Sequence, residues 1–380
     1  MDYKKLSDLC DVVSGGTPAR SRIECWENGT IPWVKISDLS SKYIKGTEEK
    51  ITETGLKESS AKLLPRGTIL FSIFATLGAT GILDIDASTN QAIAGLTVRD
   101  SRTIDPEYLY YYLLSKKTYV NNIGRGVAQN NINLSILKSL EVPVPTVDEQ
   151  RSIITILNKN DAIITGKRKV LKALNELVKA RFVEMFGDPT YNPKGYKIKK
   201  LSQLGELNRG VSKARPRNSP ELLGGPYPLV QTGEVTASEL YINTYENTYS
   251  EKGLAQSRMW PKGTLCITIA ANIAQTAILN IDACFPDSVV GFIPGKEVTQ
   301  IYMHYWFTFF QKILEEQAPQ VAQKNINLKI LNDLDVMVPE RTLQEQFEKL
   351  VNQTDKSKLL EVRQAGFIAK NRPTNISFCR

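Results

Sequence analysis

Apolar and polar positions along the chain follow two different periods. Between residues 148 and 186, alternating steps of four and three pass through Ile153, Leu157, Asn160, Ile164, Lys167, Leu171, Leu174, Val178, Arg181 and Met185, of which seven are apolar. A 3.5-residue repeat held over several heptads predicts one long helix with a coiled-coil seam, in which Asn160 would fix register at some cost in stability. About 39 residues at about 1.5 Å each reach near 58 Å, more than a small domain is wide. Gly187-Asp188-Pro189 stops this helix, and Asn192-Pro193-Lys194-Gly195 reads as a turn.

On either side of the helix the apolar runs are short. Ile31 to Ile36, Thr68 to Ile73 and Gly81 to Ile85 are β-rich and broken by Gly, Pro and Asp. Asp105-Pro106-Glu107 opens an amphipathic helix over Tyr108 to Leu114, with Asp and Pro as its start signal. Ser135 is the expected N-cap of a short helix through Leu140, and Val142-Pro143-Val144-Pro145 continues as extended chain.

This pattern occurs twice. Leu64-Pro65-Arg66-Gly67-Thr68-Ile69 returns as Trp260-Pro261-Lys262-Gly263-Thr264-Leu265, and Ile82 to Ala87 returns as Ile278 to Ala283. Ala128-Gln129-Asn130-Asn131-Ile132-Asn133-Leu134 returns as Ala322-Gln323-Lys324-Asn325-Ile326-Asn327-Leu328, and Glu149-Gln150 as Glu345-Gln346. The period, about 195 residues, is far beyond the 20–50 of a solenoid repeat, so it describes two whole domains. The second long helix starts at 342–363 with Phe347, Leu350, Thr354 and Leu360 near the seam phase. Gly366 and Asn371-Arg372-Pro373 are expected to end it early. The predicted fold class is mixed α/β (α+β): two similar globular domains, residues 1–145 and 188–339, separated by long antiparallel coiled-coil-like helices with an internal pseudo-two-fold repeat. The central helix occupies 146–187, and a distal helix and tail occupy 340–380. The expected shape is a dumbbell whose rod has a fixed length.

Composition narrows the function classes. The 380 residues suffice for two domains with their own cores, and 42% apolar with 23% charged is ordinary for a globular protein. No apolar run reaches the ~18–20 residues of a membrane span, and no apolar signal region follows Met1, so a cytoplasmic protein is expected. Cys10, Cys25, Cys266, Cys284 and Cys379 have no metal-ligand spacing and read as reduced thiols; no metal or cofactor is expected. The single histidine, His304, lies in an apolar helical segment and is expected to be structural. Walker, GxSxG, HExxH and GxGxxG patterns are absent, so an enzyme is the weakest class. A net charge of +8 fits a polyanionic partner.

Candidate nucleic-acid contacts lie in polar, basic, Gly-containing stretches. In the first domain they are Gly16, Thr17, Arg20 and Arg22, then Trp33 and Lys35, then Asn90 and Gln91. In the second they are Arg209, Ser212, Lys213, Arg215 and Arg217, then Gln231 and Thr232, with Asn272 as the counterpart of Asn90-Gln91. Arg and Lys read guanine, and Asn and Gln read adenine, in the major groove; cations that meet only phosphate add affinity without choice. Equally open is the reading in which Gly15-Gly16 is a tight turn, Trp33 is core and the arginines are solvated surface.

At Ser14-Gly15-Gly16-Thr17-Pro18, Ile31-Pro32-Trp33-Val34, Asn90-Gln91-Ala92 and Val142-Pro143-Val144-Pro145 followed by Glu149-Gln150, the chain resembles the specificity subunit of type I restriction–modification systems, over nearly its whole length. The resemblance implies two target-recognition domains, each reading half of a split double-stranded DNA sequence. It implies helices that set the gap and hold two methyltransferase subunits, which use S-adenosylmethionine, and in a restriction complex nuclease–translocase subunits. Because the two copies differ where contacts are expected, the two halves of the target should differ. The competing class is a non-catalytic scaffold whose basic face binds acidic protein.

Overall fold

The structure, a computed structural model, describes residues 2–124, 131–269, 273–310, 312–313 and 326–370. Backbone contacts divide the chain into two units, one of Met1–Arg168 with the residues from Val362 onward, the other of Lys169–Glu361. The boundary cuts the longest helix, so each unit owns half of it.

In the first unit β1 (Asp2–Lys5), β2 (Cys10–Ser14), β3 (Ile31–Val34), β4 (Tyr43–Ile44), β5 (Glu49–Ile51), β6 (Ile69–Ser72), β7 (Thr80–Leu83), β8 (Ser88–Thr89), β9 (Ile93–Val98) and β10 (Glu141–Val144) form three sheets. Their orders are β2-β9-β6-β7-β4, β5-β3-β8 and β1-β10, antiparallel except where β4 meets β7 and β3 meets β8. The helices are α1 (Leu6–Leu9), α2 (Glu53–Lys57), α3 (Pro106–Ser115), α4 (Lys117–Gly124), α5 (Leu134–Lys138) and the 40-residue α6 (Val147–Phe186). Helix α3 starts where expected: the Asp105 carboxylate accepts the Glu107 N–H, Pro106 sits in the first turn, and Tyr108 to Leu113 are buried against the sheet. The cap of α5 is not Ser135. Asn133 Oδ1 accepts the Ile136 N–H at 2.9 Å, which puts Ser135 inside the first turn. The amide oxygen of Asn reaches the third helical N–H from a residue that is still extended.

The second unit rebuilds this frame with β11 (Lys197–Lys200), β12 (Gly205–Arg209), β13 (Leu223–Leu229), β14 (Tyr241–Ile242), β15 (Asn247–Tyr249), β16 (Met259–Trp260), β17 (Leu265–Thr268), β18 (Thr276–Leu279), β19 (Ala283–Cys284), β20 (Val289–Pro294) and β21 (Asp335–Val338). Orders are β12-β20-β17-β18-β14, β15-β13-β19-β16 and β11-β21. The helices are α7 (Thr232–Ala237), α8 (Glu251–Ala255), α9 (Gln300–Phe307), α10 (Leu328–Asp333) and α11 (Arg341–Lys370). Register is repeated residue for residue: Ile69 faces Leu96 as Leu265 faces Phe292. Caps and latches repeat too. Asn327 caps α10 as Asn133 caps α5, and the Tyr302 hydroxyl donates to Met337 O as Tyr108 donates to Pro143 O.

Helix α11 has 30 residues, shorter than α6, but it passes through Gly366 instead of ending there. One helical Gly costs about 1 kcal/mol against Ala, too little to stop a helix that its neighbours continue. Residues 371–380 lie outside the described residues. Along α6 all ten positions of the seven-residue pattern are buried or half-buried, while most positions between them are exposed. The helix ends at Gly187, whose φ of 81° suits the residue after a C-cap.

Each long helix is rooted by a fully buried glutamine. Gln150 accepts the Asp105 N–H at 2.8 Å and donates to Thr103 O and Pro145 O at 3.0 and 2.9 Å. Gln344 does the same with Thr299 N, Glu297 O and Pro339 O. In the second unit Phe182 and Phe186 of α6 also pack against Tyr302 and Phe347, one pair stacked and three edge-on, joining both long helices to the core. His304 is buried in α9 with Nδ1 3.0 Å from Thr276 Oγ1, a packed role as expected. Cys10, Cys25, Cys266 and Cys284 are free and buried, and burial pushes the Cys10 thiol up to about 12. Cys379 lies outside the described residues.

Two predictions follow from this packing. Gln150→Leu and Gln344→Leu keep the side-chain volume but leave three backbone groups unpaired, so each should cost about 2–5 kcal/mol in urea unfolding; a cost below about 0.5 kcal/mol would contradict the clamp. Burial, with Lys358 and Lys179 nearby, pushes His304 down from 6.5 to about 4. Between those values the unfolded chain holds more protons, so this contribution is complete above about pH 6.5 and is lost as pH falls toward 4, by up to about 3 kcal/mol. His304→Gln should flatten that part of the wild-type stability–pH curve, measured by urea unfolding at several pH values.

Candidate nucleic-acid interface

The first-unit candidates are brought together by the small β5-β3-β8 sheet. Gly16 N donates to Thr89 O at the end of β8, and Asn90 N donates to Val34 O at the end of β3. Thr17 donates its hydroxyl to the Gln91 side chain. Trp33 Nε1 donates to Gly16 O at 3.0 Å, and Trp26 meets Trp33 edge-on with centroids 5.0 Å apart. Arg20 lies over both rings, its guanidinium carbon 3.8 Å from the Trp26 centroid and 5.0 Å from that of Trp33. The same Arg20 reaches Glu49 at 2.5 Å, and Lys35 holds Glu48 and Glu49 at 2.8 Å. Arg22 is paired with Glu24 and Glu58.

Two of these candidates are supports and not contacts. Trp33 is only 2% exposed and braces the Gly16 loop from below. Gly16 is buried with so little room that a Cβ there would fall 2.2 Å from the Ala61 nitrogen, so the site needs glycine for close approach. Thr17, Arg20, Lys35, Asn90 and Gln91 remain at least partly accessible, and Arg22 is exposed. Three cations here face four carboxylates, so the patch carries no positive surplus. Arg20, then Lys35, holds the Glu49 carboxyl below its usual range. Such exposed pairs are worth about 0–1 kcal/mol each and exchange readily for other anions.

The second unit solves the same surface differently. Arg209 Nε donates to Asp287 O at 3.0 Å. Arg217 spans both Asp287 carboxylate oxygens at 2.7 and 2.9 Å, and Arg215 stands 3.8 Å from the same group while donating to Ser212 O and Ala214 O. Only Arg215 and Arg217 share the Asp287 carboxylate, and with Arg209 and Lys213 in the same stretch four cations stand against that one acid. Ser212, Arg217, Gln231 and Thr232 line one cavity. Ser212 is 6% exposed, and its hydroxyl oxygen is buried.

Asn272 lies outside the described residues, and its pairing with Asn90-Gln91 is corrected. Register places Asn90-Gln91-Ala92 after β8 where Pro286-Asp287-Ser288 follows β19: Gly16 N donates to Thr89 O, and Val211 N donates to Phe285 O. Asp287 therefore occupies the place of Gln91. Residue patterns missed Asp287, Trp26 and Glu49 because acids and a half-buried Trp do not themselves suggest DNA. Aligning the copies by strand register would have found them. Among the described residues no cluster could hold a metal ion, and no helix is long and apolar enough to cross a membrane.

Comparison with known proteins points one way. The family model for the type I restriction modification DNA specificity domain matches residues 1–176 and 193–364. The MjaIX specificity subunit of Methanocaldococcus jannaschii is 32% identical over 229 residues, 55% of this chain and 52% of that one. The EcoR124I/EcoR124II specificity subunit of Escherichia coli is 28% identical over 169 residues, 43% of this chain and 41% of that one. The match thus spans about half or less of those two relatives. It extends over 88% of the putative MjaX specificity subunit, at 23% identity and 95% of this chain. Among solved structures, the S subunit from M. genitalium aligns with TM-score 0.53 at 15% identity, covering 98% of this chain and 94% of that one. A chain from a study of complex assembly and conformational transition of the type I R-M system aligns with TM-score 0.57 at 16% identity, over 97% and 94%. At that identity the likeness is one of fold.

The charge contrast between the two surfaces is measurable. Arg215→Ala with Arg217→Ala should bring elution from immobilised heparin to clearly lower salt, because each cation that meets a polyanion releases counterions and adds to the salt dependence. Arg20→Ala with Arg22→Ala should move it little, and equal shifts for both pairs would contradict the contrast.

Proposed function

The chain belongs to the type I restriction-modification DNA specificity family, and from that premise we propose that it is the sequence-reading subunit of a methyltransferase complex and performs no chemistry itself. Each unit reads one half of a bipartite target. The observation that carries this reading is that two units of matching register present different chemistry at matching surface positions. Gln91 stands where the second unit has Asp287, and Lys35 stands where it has Gln231. A shared frame with different faces suits two different half-sites on double-stranded DNA.

The seven-residue burial pattern of α6 supports a coiled-coil spacer that sets the gap between halves. Ile156, Ile163, Val170 and Leu177 recur every seventh position on the same helix and are 44–55% exposed. Such a row suits the docking of two methyltransferase subunits, which would bring S-adenosylmethionine, and of nuclease–translocase subunits in a restriction complex. A cytoplasmic location accords with that role. The alternative, a scaffold whose basic face binds acidic proteins, would show no nucleotide-sequence preference.

Base-resolution methylation mapping, with and without this chain and with its methyltransferase partner present, tests the proposal. A split motif should appear only with the chain. Arg217→Ala should relax the second half and leave the first intact; equal loss in both halves would sink the modular reading. Inserting four residues beside Lys167 should change the gap or abolish modification, and an unchanged gap would sink the spacer role.

A further inference from the structure

We propose that a cavity in the second unit receives a single nucleobase of the DNA, turned out of the helical stack, so that this unit reads part of its half-site through a captured base. The inference rests on the DNA-reading function proposed above. It starts from a difference between two strands of matching register. In the first unit Trp33 of β3 lies opposite Glu49 of β5 and beside Ser88 of β8. In the second, Leu229 of β13 lies opposite Asn247 of β15 and beside Cys284 of β19. Trp33 and Trp26 fill the first position, and Arg20 closes it from above by bridging to Glu49. With Leu in place of Trp and Asn in place of Glu, the second position is left open as a cavity of about 440 Å³.

The lining states what would fit. Leu229 and Tyr249 supply apolar and aromatic walls, and Gln231, Asn247 and Asn218 supply amides, each with donors and an acceptor. No carboxylate lines it among the described residues, and its one cation, Arg217, already spans Asp287. That combination disfavours a phosphate and suits a neutral planar group with hydrogen-bonding edges. Bases extruded from duplexes are held in this manner, between apolar or aromatic walls with polar groups on their edges. Amide side chains pair two-handed with adenine, which is therefore the preferred base. The volume lies within the range of ligand pockets, about 300–1,000 Å³.

The test uses the full chain in complex with its methyltransferase partner and the mapped target. Duplexes carrying 2-aminopurine at each position of the second half-site in turn are titrated with the complex. One position should brighten several-fold as unstacking relieves quenching. Leu229→Trp, which installs the residue of the first unit at the same register position, should abolish that signal and weaken binding of the second half-site at least ten-fold. Gln231→Ala, at an exposed side chain with no role in the core, should reduce the signal even if the tryptophan variant fails to fold. If no position brightens, or if both variants leave the signal intact, the cavity assignment is overturned while a mapped split target preserves the broader reading. A wild-type complex without any sequence preference overturns both. Saturable binding of free deoxyadenosine, abolished by Leu229→Trp, with no brightening in DNA, overturns the DNA source in favour of a free nucleoside.

Discussion

The arrangement of this protein depends on a buried amide at the root of each long helix. A 40-residue helix has one end that its own unit must hold, and the first turn brings backbone groups with no intrahelical partner. Gln150 and Gln344 hold that end by bonding to the residue just before the long helix and to the loop and N-cap that open α3 and α9. All the hydrogen-bonding groups of a neutral side chain are used without burying a charge. A carboxylate could not donate, and a lysine could not accept. The direction in which the helix leaves its unit is thereby tied to the position of the tyrosine-rich or tryptophan-bearing helix beneath it.

Much of this was legible in the residues, and the limits have physical reasons. The long helix was visible because its seven-residue pattern is extended, and the two units were visible because the repeat preserves turn and cap residues such as Pro65-Arg66-Gly67 and Asn133-Leu134. The start of α3 was visible in Asp105-Pro106, since both residues act locally. By contrast, Ser135 and Asn133 are both good caps, and only the backbone decides which one is still extended. Gln150 looked like part of a recurring pair; its role requires Thr103 and Asp105 to be close, which is tertiary information. Trp33 could be placed in a loop or a core by composition alone, and strand pairing put it in the core. The partner of Gln91 was misassigned to Asn272 because residue type was matched across copies; matching strand register leads to Asp287.

The two surfaces show how one frame carries two chemistries. On the first, an arginine lies between two indoles and one carboxylate, and charge is balanced locally. On the second, two arginines lean on a single carboxylate beside an open hollow. Neither difference touches the strand register, the helix caps or the tyrosine latches beneath. The shared frame and the two differing faces are therefore built from different side chains.

Each unit is closed by a strand pair from its extremes: Asp2–Lys5 against Glu141–Val144, and Lys197–Lys200 against Asp335–Val338. During synthesis this imposes an order. The first strand of a unit leaves the ribosome long before its partner, and has no ladder to join until nearly all of the unit has followed. Closure of the first unit coincides with emergence of the root of α6, so the long helix begins to grow from a finished base. The second unit takes longer, because its core also awaits Phe347 from the final helix. A nascent chain interrupted between residues 187 and 338 would therefore display one unit with its strands paired and one with its apolar core uncovered, which makes that interval the one in which the growing chain is most exposed to aggregation and proteolysis.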